Sequence, residues 1–400
     1  MVDGSSFRHV MPARSSQESE TLMTYPQLTE EAIDHARSLI GVPLRRRPHY
    51  REAGRDVLVR WAKGLGSRNP LYADLAYGTL NTAWASIIGH PSVIFGFDHT
   101  VVAPSLPGIH TVYAGGSFEW FKQIRAGDRL EATAFLTGVE EKEGEFCGRM
   151  VLQTGLVRYV NQHGELVAEA RPQVLRTPRE SARERGKYKN LKRHEYSQPE
   201  FAEIIGAYEN EFIRGSRALY SEEAVVGLQV PKVVKGPLTT EDMNFFVGEI
   251  NETLFFHEFL AHMRRHPADV YWHPDLNMPD SWDASLLLDA PAQEFGFPTA
   301  HDTGLQRVAW FDCLVTNWMG DLAMLRKLDV RLTKPFLHAD TAWLSGEVVG
   351  SRWEGPCPRT VLSLTCENQR GEVVATAMAE VELPSRSFDV PQPGLILAET

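Results

Sequence analysis

The sequence contains one kind of segment twice, and this repeat constrains the fold more than any other feature. Residues 130–175 and residues 341–383 each consist of three runs in which apolar and polar side chains alternate. In both copies nearly the same turn joins the last two runs, NQHGELVA at 161–168 and NQRGEVVA at 368–375. Alternation with a period of two predicts β-strands, and the glycine-containing turn predicts a hairpin. We therefore expect two copies of one antiparallel module.

A helical stretch and a further strand precede each module. In the second half, apolar residues recur at helical spacing from Leu305 to Leu325, so this helix is predicted to be buried on most of its circumference. Leu328, Val330 and Leu332 then alternate as a strand. A long apolar helix followed by an antiparallel sheet that can wrap it is the α+β arrangement called a hot dog. The predicted fold is α+β with two tandem hot-dog domains that form a pseudo-dimer within one chain.

Composition changes along the chain predict the domain boundaries. Residues 1–25 are rich in polar and charged side chains and are interpreted as a disordered leader. Charges also dominate residues 177–200, as expected of a solvated connector. We therefore predict an N-terminal hot-dog domain at 26–176, a charged linker with a connecting helix at 177–233, a C-terminal domain at 234–386 and a tail at 387–400.

The overall composition excludes several classes of protein. Forty-one basic and 52 acidic residues give a formal charge of −11, which disfavours a nucleic-acid partner. No run of 18 consecutive apolar residues is present, so no membrane-spanning helix is expected. The four cysteines form no CxxC pair and predict reduced thiols in a cytoplasmic protein, although a bridge between the last two remains open: Cys147, Cys313, Cys357 and Cys366.

Several blocks resemble the tandem form of the MaoC-like dehydratases over residues 26–385. The blocks are WAKGLGSRNPLYAD at 61–74, LPGIHTVYAGGSFEWFKQIRAGDRL at 106–130, VKGPLTTEDMNFFVG at 234–248 and EFGFPTAHDTGLQRVAWFDCLVTNWMGD at 294–321, together with the two hairpins. The resemblance implies an enoyl-CoA hydratase or 3-hydroxyacyl-CoA dehydratase that acts on an acyl thioester. It implies CoA as part of the substrate, without a separate cofactor or metal. Sheet edges that pair imply a homodimer, or a hetero-oligomer with another hot-dog chain.

The motif that this resemblance implies, D-x-N-P-[LIV]-H, is altered in both halves. In the first half, Ser67 stands at the acidic position and Tyr72 at the histidine position, with Asn69 between them. In the second half, Asp275 aligns with the acid only after a one-residue insertion, and Ser281 takes the place of the histidine. We therefore expect the first half to be the non-catalytic copy that makes room for a bulky or branched acyl group.

A substitute acid–base pair is available next to the predicted helix. His301 and Asp302 immediately precede Gly304, and an imidazole there can serve as acid or base near neutral pH. Asp302 can instead be the N-cap of the helix, and His301 can be a loop residue. Asp275 also suits a simple turn. The predicted catalytic residues are His301, Asp302 and Asp275.

The predicted substrate-binding residues come from both halves. Arg307, one turn into the helix, must meet an anion when buried, either the substrate or a carboxylate such as Asp321 or Glu294. Asp283 is interpreted as a helix cap. The full set predicted to contact substrate is Gly304, Arg307, Ser281, Trp282, Asn69, Tyr72 and His110.

Loss of the motif histidine in both halves leaves two other functions open. The chain can be a non-catalytic scaffold subunit that binds an acyl thioester and needs a partner chain. It can also be a thioesterase that uses a carboxylate as base or nucleophile.

Overall fold

The computed structural model describes residues 27–44, 48–80, 84, 86–250, 256–273, 276–354 and 357–387. The predicted leader at 1–25, Asp275, and residues 388–400 of the predicted tail lie outside these ranges.

Ten strands form one antiparallel sheet that extends through both halves. The strands of the first half are β1 (Pro43–Leu44), β2 (His110–Trp120), β3 (Glu131–Gly144), β4 (Gly148–Val160) and β5 (Leu166–Thr177). Those of the second half are β6 (Gln229–Lys235), β9 (Met324–Leu332), β10 (Ala342–Glu354), β11 (Cys357–Asn368) and β12 (Val373–Glu382). A separate hairpin contains β7 (Val270–His273) and β8 (Met278–Ser281).

The strand order shows that the two halves are copies of one module. It is β1-β3-β4-β5-β2-β9-β12-β11-β10-β6, so each strand of the first half has a counterpart at the same distance from the centre. The halves meet where β2 pairs with β9, from Gly115 opposite Arg331 to Glu119 opposite Lys327. Any side chain at Gly115 would collide with the backbone carbonyl of Val330, so this junction requires glycine. The predicted α+β pseudo-dimer of tandem hot-dog domains is confirmed.

The helices are distributed unequally between the halves. The first half has α1 (Glu30–Ser38), α2 (Arg55–Gly64), α3 (Pro70–Ala73), α4 (Leu75–Leu80) and α5 (Ile94–Phe97). Between the halves lie α6 (Arg179–Arg185) and α7 (Gln198–Glu209), and the second half adds α8 (Thr240–Ile250), α9 (Phe256–Arg265), α10 (Asp289–Glu294) and α11 (Leu305–Met319). Short 3₁₀ helices occupy Pro91–Val93, Pro267–Asp269 and Trp282–Leu286. The long central helix of the second half therefore corresponds to only one or two turns in the first.

The central helix α11 is buried along its whole length, as its sequence predicts. Every one of its 15 residues is buried, including polar ones such as Asp312 and Thr316. The helix is shorter than the predicted apolar pattern, because the backbone leaves helical geometry at Gly320, where φ is +78°. Leu322 follows the helix and Leu325 lies in β9, so their assignment to the helix was wrong.

The structure also describes the features behind two sequence predictions, on membrane-spanning helices and on the cysteine thiols. Among the described residues, no helix is long and apolar enough to cross a membrane. The thiols of Cys147, Cys313 and Cys366 are free and buried.

Candidate functional site

A cavity of about 520 Å³ lies where the two halves meet, at the N-terminal end of α11. Its walls come from the beginning of β2, the beginning of α6, the 3₁₀ helix at Trp282–Leu286 and the segment that leads into α11. Seven predicted site residues line it, namely His110, Ser281, Trp282, His301, Asp302, Gly304 and Arg307. The fold thus brings together residues separated by almost 200 positions.

His301 has the geometry of a neutral base. Its Nδ1 lies 2.8 Å from the carbonyl oxygen of Asp302, an acceptor, so Nδ1 carries the proton and Nε2 keeps its lone pair. Nε2 is buried and has no hydrogen-bond partner within the described part of the chain. Burial lowers the pKa of His301 below its ordinary value of 6.5, although the carbonyl and carboxylate of Asp302 oppose that shift.

The N-terminus of α11 presents backbone donors to the same cavity. Gly304 occupies the N-cap position with φ +78° and supplies no side-chain cap, and both Gly304 and Leu305 line the cavity. The first N–H groups of a helix have no intrahelical partner and favour negative charge. The expectation that Asp302 is the N-cap was wrong, since the left-handed turn at Gly304 places it outside the cap position.

Asp302 instead forms a buried ion pair with Arg307. Its two carboxylate oxygens lie 2.7 Å from Nε and 3.1 Å from Nη2 of the guanidinium. Nη1 of Arg307 donates to the carbonyls of Lys334 and Val374. The expected partners Asp321 and Glu294 are bonded elsewhere, to Tyr77 and Arg183. Both carboxylate oxygens of Asp302 are therefore engaged, which suits a positioning role.

His110, the contribution of β2, sits in an aromatic environment. Its ring stacks on Phe295 with centroids 3.7 Å apart and an interplanar angle of 13°. Its Nε2 is buried and has no partner among the described residues. Burial holds the pKa of His110 well below 6.5, and the charges of His301, Arg179 and Arg176 lower it further.

Residues of the linker and of the 3₁₀ helix complete the wall. The guanidinium of Arg179, from α6, lies 4.2 Å from the ring centroid of Trp282 and 5.1 Å from that of Phe295. Residues 177–200 were predicted to be a solvated connector, but Arg179 is buried against these rings. An arginine within a charged run gives no sequence signal for such a position.

Asp283 also lines the cavity, which its sequence context did not predict. The cap of the 3₁₀ helix is Ser281, whose Oγ accepts from the backbone N–H of Asp283 at 3.1 Å, so Asp283 is not the cap. Loss of hydration raises the pKa of the Asp283 carboxyl, and the neighbouring Asp269 and Asp280 raise it further. Like Arg179, Asp283 is a residue of the site that sequence reasoning missed.

The altered motif of the first half belongs to the core and not to the cavity. Asn69 caps α3 and donates to the carbonyl of Thr316, and Tyr72 stacks on His90 at 4.1 Å. Neither Asn69 nor Tyr72 lines the cavity, contrary to their predicted substrate-binding role. Burial holds the pKa of Tyr72 well above 10.

A network of hydrogen bonds connects the first-half motif residue Ser67 to the central helix α11. Nε2 of His90 lies 2.9 Å from Oγ of Ser67, and Nδ1 lies 3.3 Å from Asp312 on α11. The other oxygen of Asp312 accepts from the backbone N–H and the hydroxyl of Ser92 at 2.9 and 2.6 Å. All four side chains are buried, so this network ties the first half to the central helix of the second.

Comparisons with known proteins agree with this architecture. The family model for the FAS1-like dehydratase domain region matches residues 38–170. A solved MaoC-like dehydratase is 14% identical with a TM-score of 0.60, and the match covers 87% of this chain and 99% of that one. A MaoC domain dehydratase from Chloroflexus aurantiacus J-10-fl is 15% identical with a TM-score of 0.50, over 87% and 94% of the two chains. A search of curated proteins gave no match.

Proposed function

We propose that this chain, which has the tandem hot-dog fold of the MaoC-like dehydratases, catalyses the reversible hydration of an α,β-unsaturated acyl thioester. The observation that carries the proposal is the position of His301. A neutral imidazole with an unpartnered Nε2 lines the same cavity as the free N-terminus of a buried helix. Hydration needs a base near the attacked carbon and donors at the thioester oxygen.

The proposed reaction uses these two features in sequence. Nε2 of His301 removes a proton from water as the hydroxide oxygen bonds to Cβ. The π electrons move toward the thioester oxygen, where N–H groups at Gly304 and Leu305 hold the developing enolate. The enolate collapses and takes the proton back at Cα, so His301 returns to its neutral state. Asp302 holds the loop through its ion pair with Arg307 and accepts from Nδ1 through its carbonyl.

The cavity favours a bulky or branched acyl group. Its walls include several large apolar side chains, among them Val112, Tyr113, Phe146, Phe297 and Leu332. We propose CoA as the handle of the substrate, no separate cofactor, and a homodimer of chains as the working assembly.

Enoyl-thioester absorbance, measured together with thiol release, tests this function. Wild type should consume enoyl-CoA without releasing thiol, and His301→Ala should lower kcat by roughly 10²–10⁴-fold, the range for loss of an acid–base group. His163→Ala, in the exposed turn of the first repeat, is the matched control and should keep full activity. Thiol release would indicate a thioesterase instead. Binding of acyl-CoA without turnover would favour the partner-dependent scaffold.

A further inference from the structure

We infer that His110, from the first half, is a second catalytic residue of this site and holds the attacking water together with His301. This inference rests on the proposed hydration. It means that the active site is composite, because β2 of the first half and the segment before α11 of the second half each supply one imidazole.

The aromatic contacts connect the two rings through a shared neighbour, Phe297. The Phe297 ring lies 4.3 Å from that of His301 and 6.5 Å from that of His110, measured between centroids. The Phe295 ring stacks on the His110 ring, with centroids 3.7 Å apart. Both imidazoles are therefore packed against one aromatic cluster and line the same cavity. Packing of this kind fixes ring orientation, which a water-positioning pair needs.

Unpartnered polar atoms concentrate around this cavity. Nε2 of His110, Nε2 of His301, Oγ1 of Thr303 and Nε1 of Trp282 are all buried without a hydrogen-bond partner in the described ranges, and all four residues line the cavity. Buried polar atoms are almost always paired in folded proteins. Four such atoms on residues that line a single cavity suit the binding of a polar ligand there.

The two histidines divide the work on one water molecule. Nε2 of His301 accepts, because its Nδ1 proton is bonded to the Asp302 carbonyl. His110 donates through Nε2–H to the water oxygen. This hydrogen bond orients the water so that a lone pair of its oxygen points toward Cβ. The O–H proton moves to His301, the C–O bond forms, and the same proton is returned to Cα. His110 gains and loses no proton, so the step is balanced.

The neutral state that this step requires of His110 agrees with its surroundings. Burial and the positive groups that act on it, Arg179 from α6, Arg176 from β5 and any charge on His301, all lower its pKa. Asp283 is the alternative second group, but the charges that act on it are Asp269 and Asp280 and not an imidazole. The pair of histidines is the better supported arrangement.

Two substitutions distinguish the packing of the His110 ring from the hydrogen bond that its nitrogen donates. His110→Phe keeps an aromatic ring on Phe295 and removes the donor, and should lower kcat by roughly 10²-fold while KM changes by less than about threefold. His110→Gln restores a non-titrating donor and should recover part of that loss. Asp283→Asn serves as the comparison, and its kcat should fall less than that of His110→Phe.

The outcomes distinguish this inference from the proposed function. An active wild type with an unimpaired His110→Phe variant would overturn the role of His110 and leave hydration intact. A wild type that hydrates no enoyl-CoA would overturn both. Imidazole ¹⁵N shifts of wild type give a measurement that does not depend on a folded variant. Saturated acyl-CoA should shift the His110 ring signals, and unchanged signals in the bound state would refute the inference.

Discussion

The ion pair between Asp302 and Arg307 predicts that Asp302→Asn damages stability more than chemistry. The side chains are only 2% and 5% exposed, so the guanidinium cannot recover hydration when its partner loses charge. Removing one member of a buried pair costs about 3–5 kcal/mol. An asparagine oxygen can still accept one N–H of Arg307, and the carbonyls of Lys334 and Val374 remain. We therefore expect a loss near the lower limit, about 3 kcal/mol.

A double-mutant cycle in urea measures this effect. Asp302→Asn, Arg307→Met and the double variant should give a coupling energy of roughly 2 kcal/mol, because the second substitution removes the stranded charge. The matched control is Glu165→Gln, which breaks the Lys122 pair, where both side chains are about 40% exposed. We expect that control to leave the urea midpoint unchanged, since exposed pairs contribute little.

Kinetics of the same variants decide the role of the carboxylate. Asp302→Asn should retain a kcat within about tenfold of wild type under conditions where it is folded, because His301 uses the Asp302 carbonyl and not its carboxylate. A folded variant of unchanged stability whose kcat falls by roughly 10³-fold would refute the positioning role. It would return Asp302 to the acid–base role that the sequence suggested.

Three further predictions concern the cavity and the buried network. The pKa values of His110 and His301 are lowered in the folded chain, so below pH 6.5 the unfolded chain binds more protons than the folded chain. The urea midpoint should therefore fall as pH decreases from 7 to 5, and it should fall less steeply in His110→Phe. An equal pH slope in wild type and His110→Phe would contradict this. Gly304→Ala should lower the free energy of unfolding by roughly 1–3 kcal/mol and should also lower kcat, because φ is +78° and the new Cβ would lie 2.8 Å from Leu332. Wild-type values in urea unfolding and turnover would contradict this prediction. His90→Phe should cost about 1–3 kcal/mol in urea unfolding while kcat is kept, since Ser67 and Asp312 each lose one buried hydrogen bond. Unchanged unfolding would show that the network contributes little.

The sequence was sufficient for the fold because the repeat and the periodicity express local rules. Alternation fixes which strand face is buried, and the hairpins at Asn161 and Asn368 are built alike, each asparagine accepting two backbone N–H groups within its own turn. The end of α11 was misplaced because apolar spacing continues past Gly320, where the backbone conformation changes. Periodicity identifies a buried element more reliably than its last residue.

The site was only partly predictable because it forms between segments that are distant in sequence. His301 was identified from its place before an apolar helix, which is a local signal. Asn69 and Tyr72 were assigned by motif position, yet whether a motif faces a cavity depends on packing against the other half. Arg179 and Asp283 carried no local signal, since a charged run and a turn-rich stretch both predict solvent exposure.

The altered motif of the first half and the composite cavity both lie at the junction between the halves. In the first half, Ser67 is bonded to His90, and His90 is bonded to Asp312, so that motif position stabilises the contact with α11. At the same junction β2 pairs with β9, and β2 carries His110 to the N-terminus of α11. A site assembled across this junction requires the halves to be held in one register. His110 comes from one half and His301 from the other, so we expect separated halves to lack activity even where they fold.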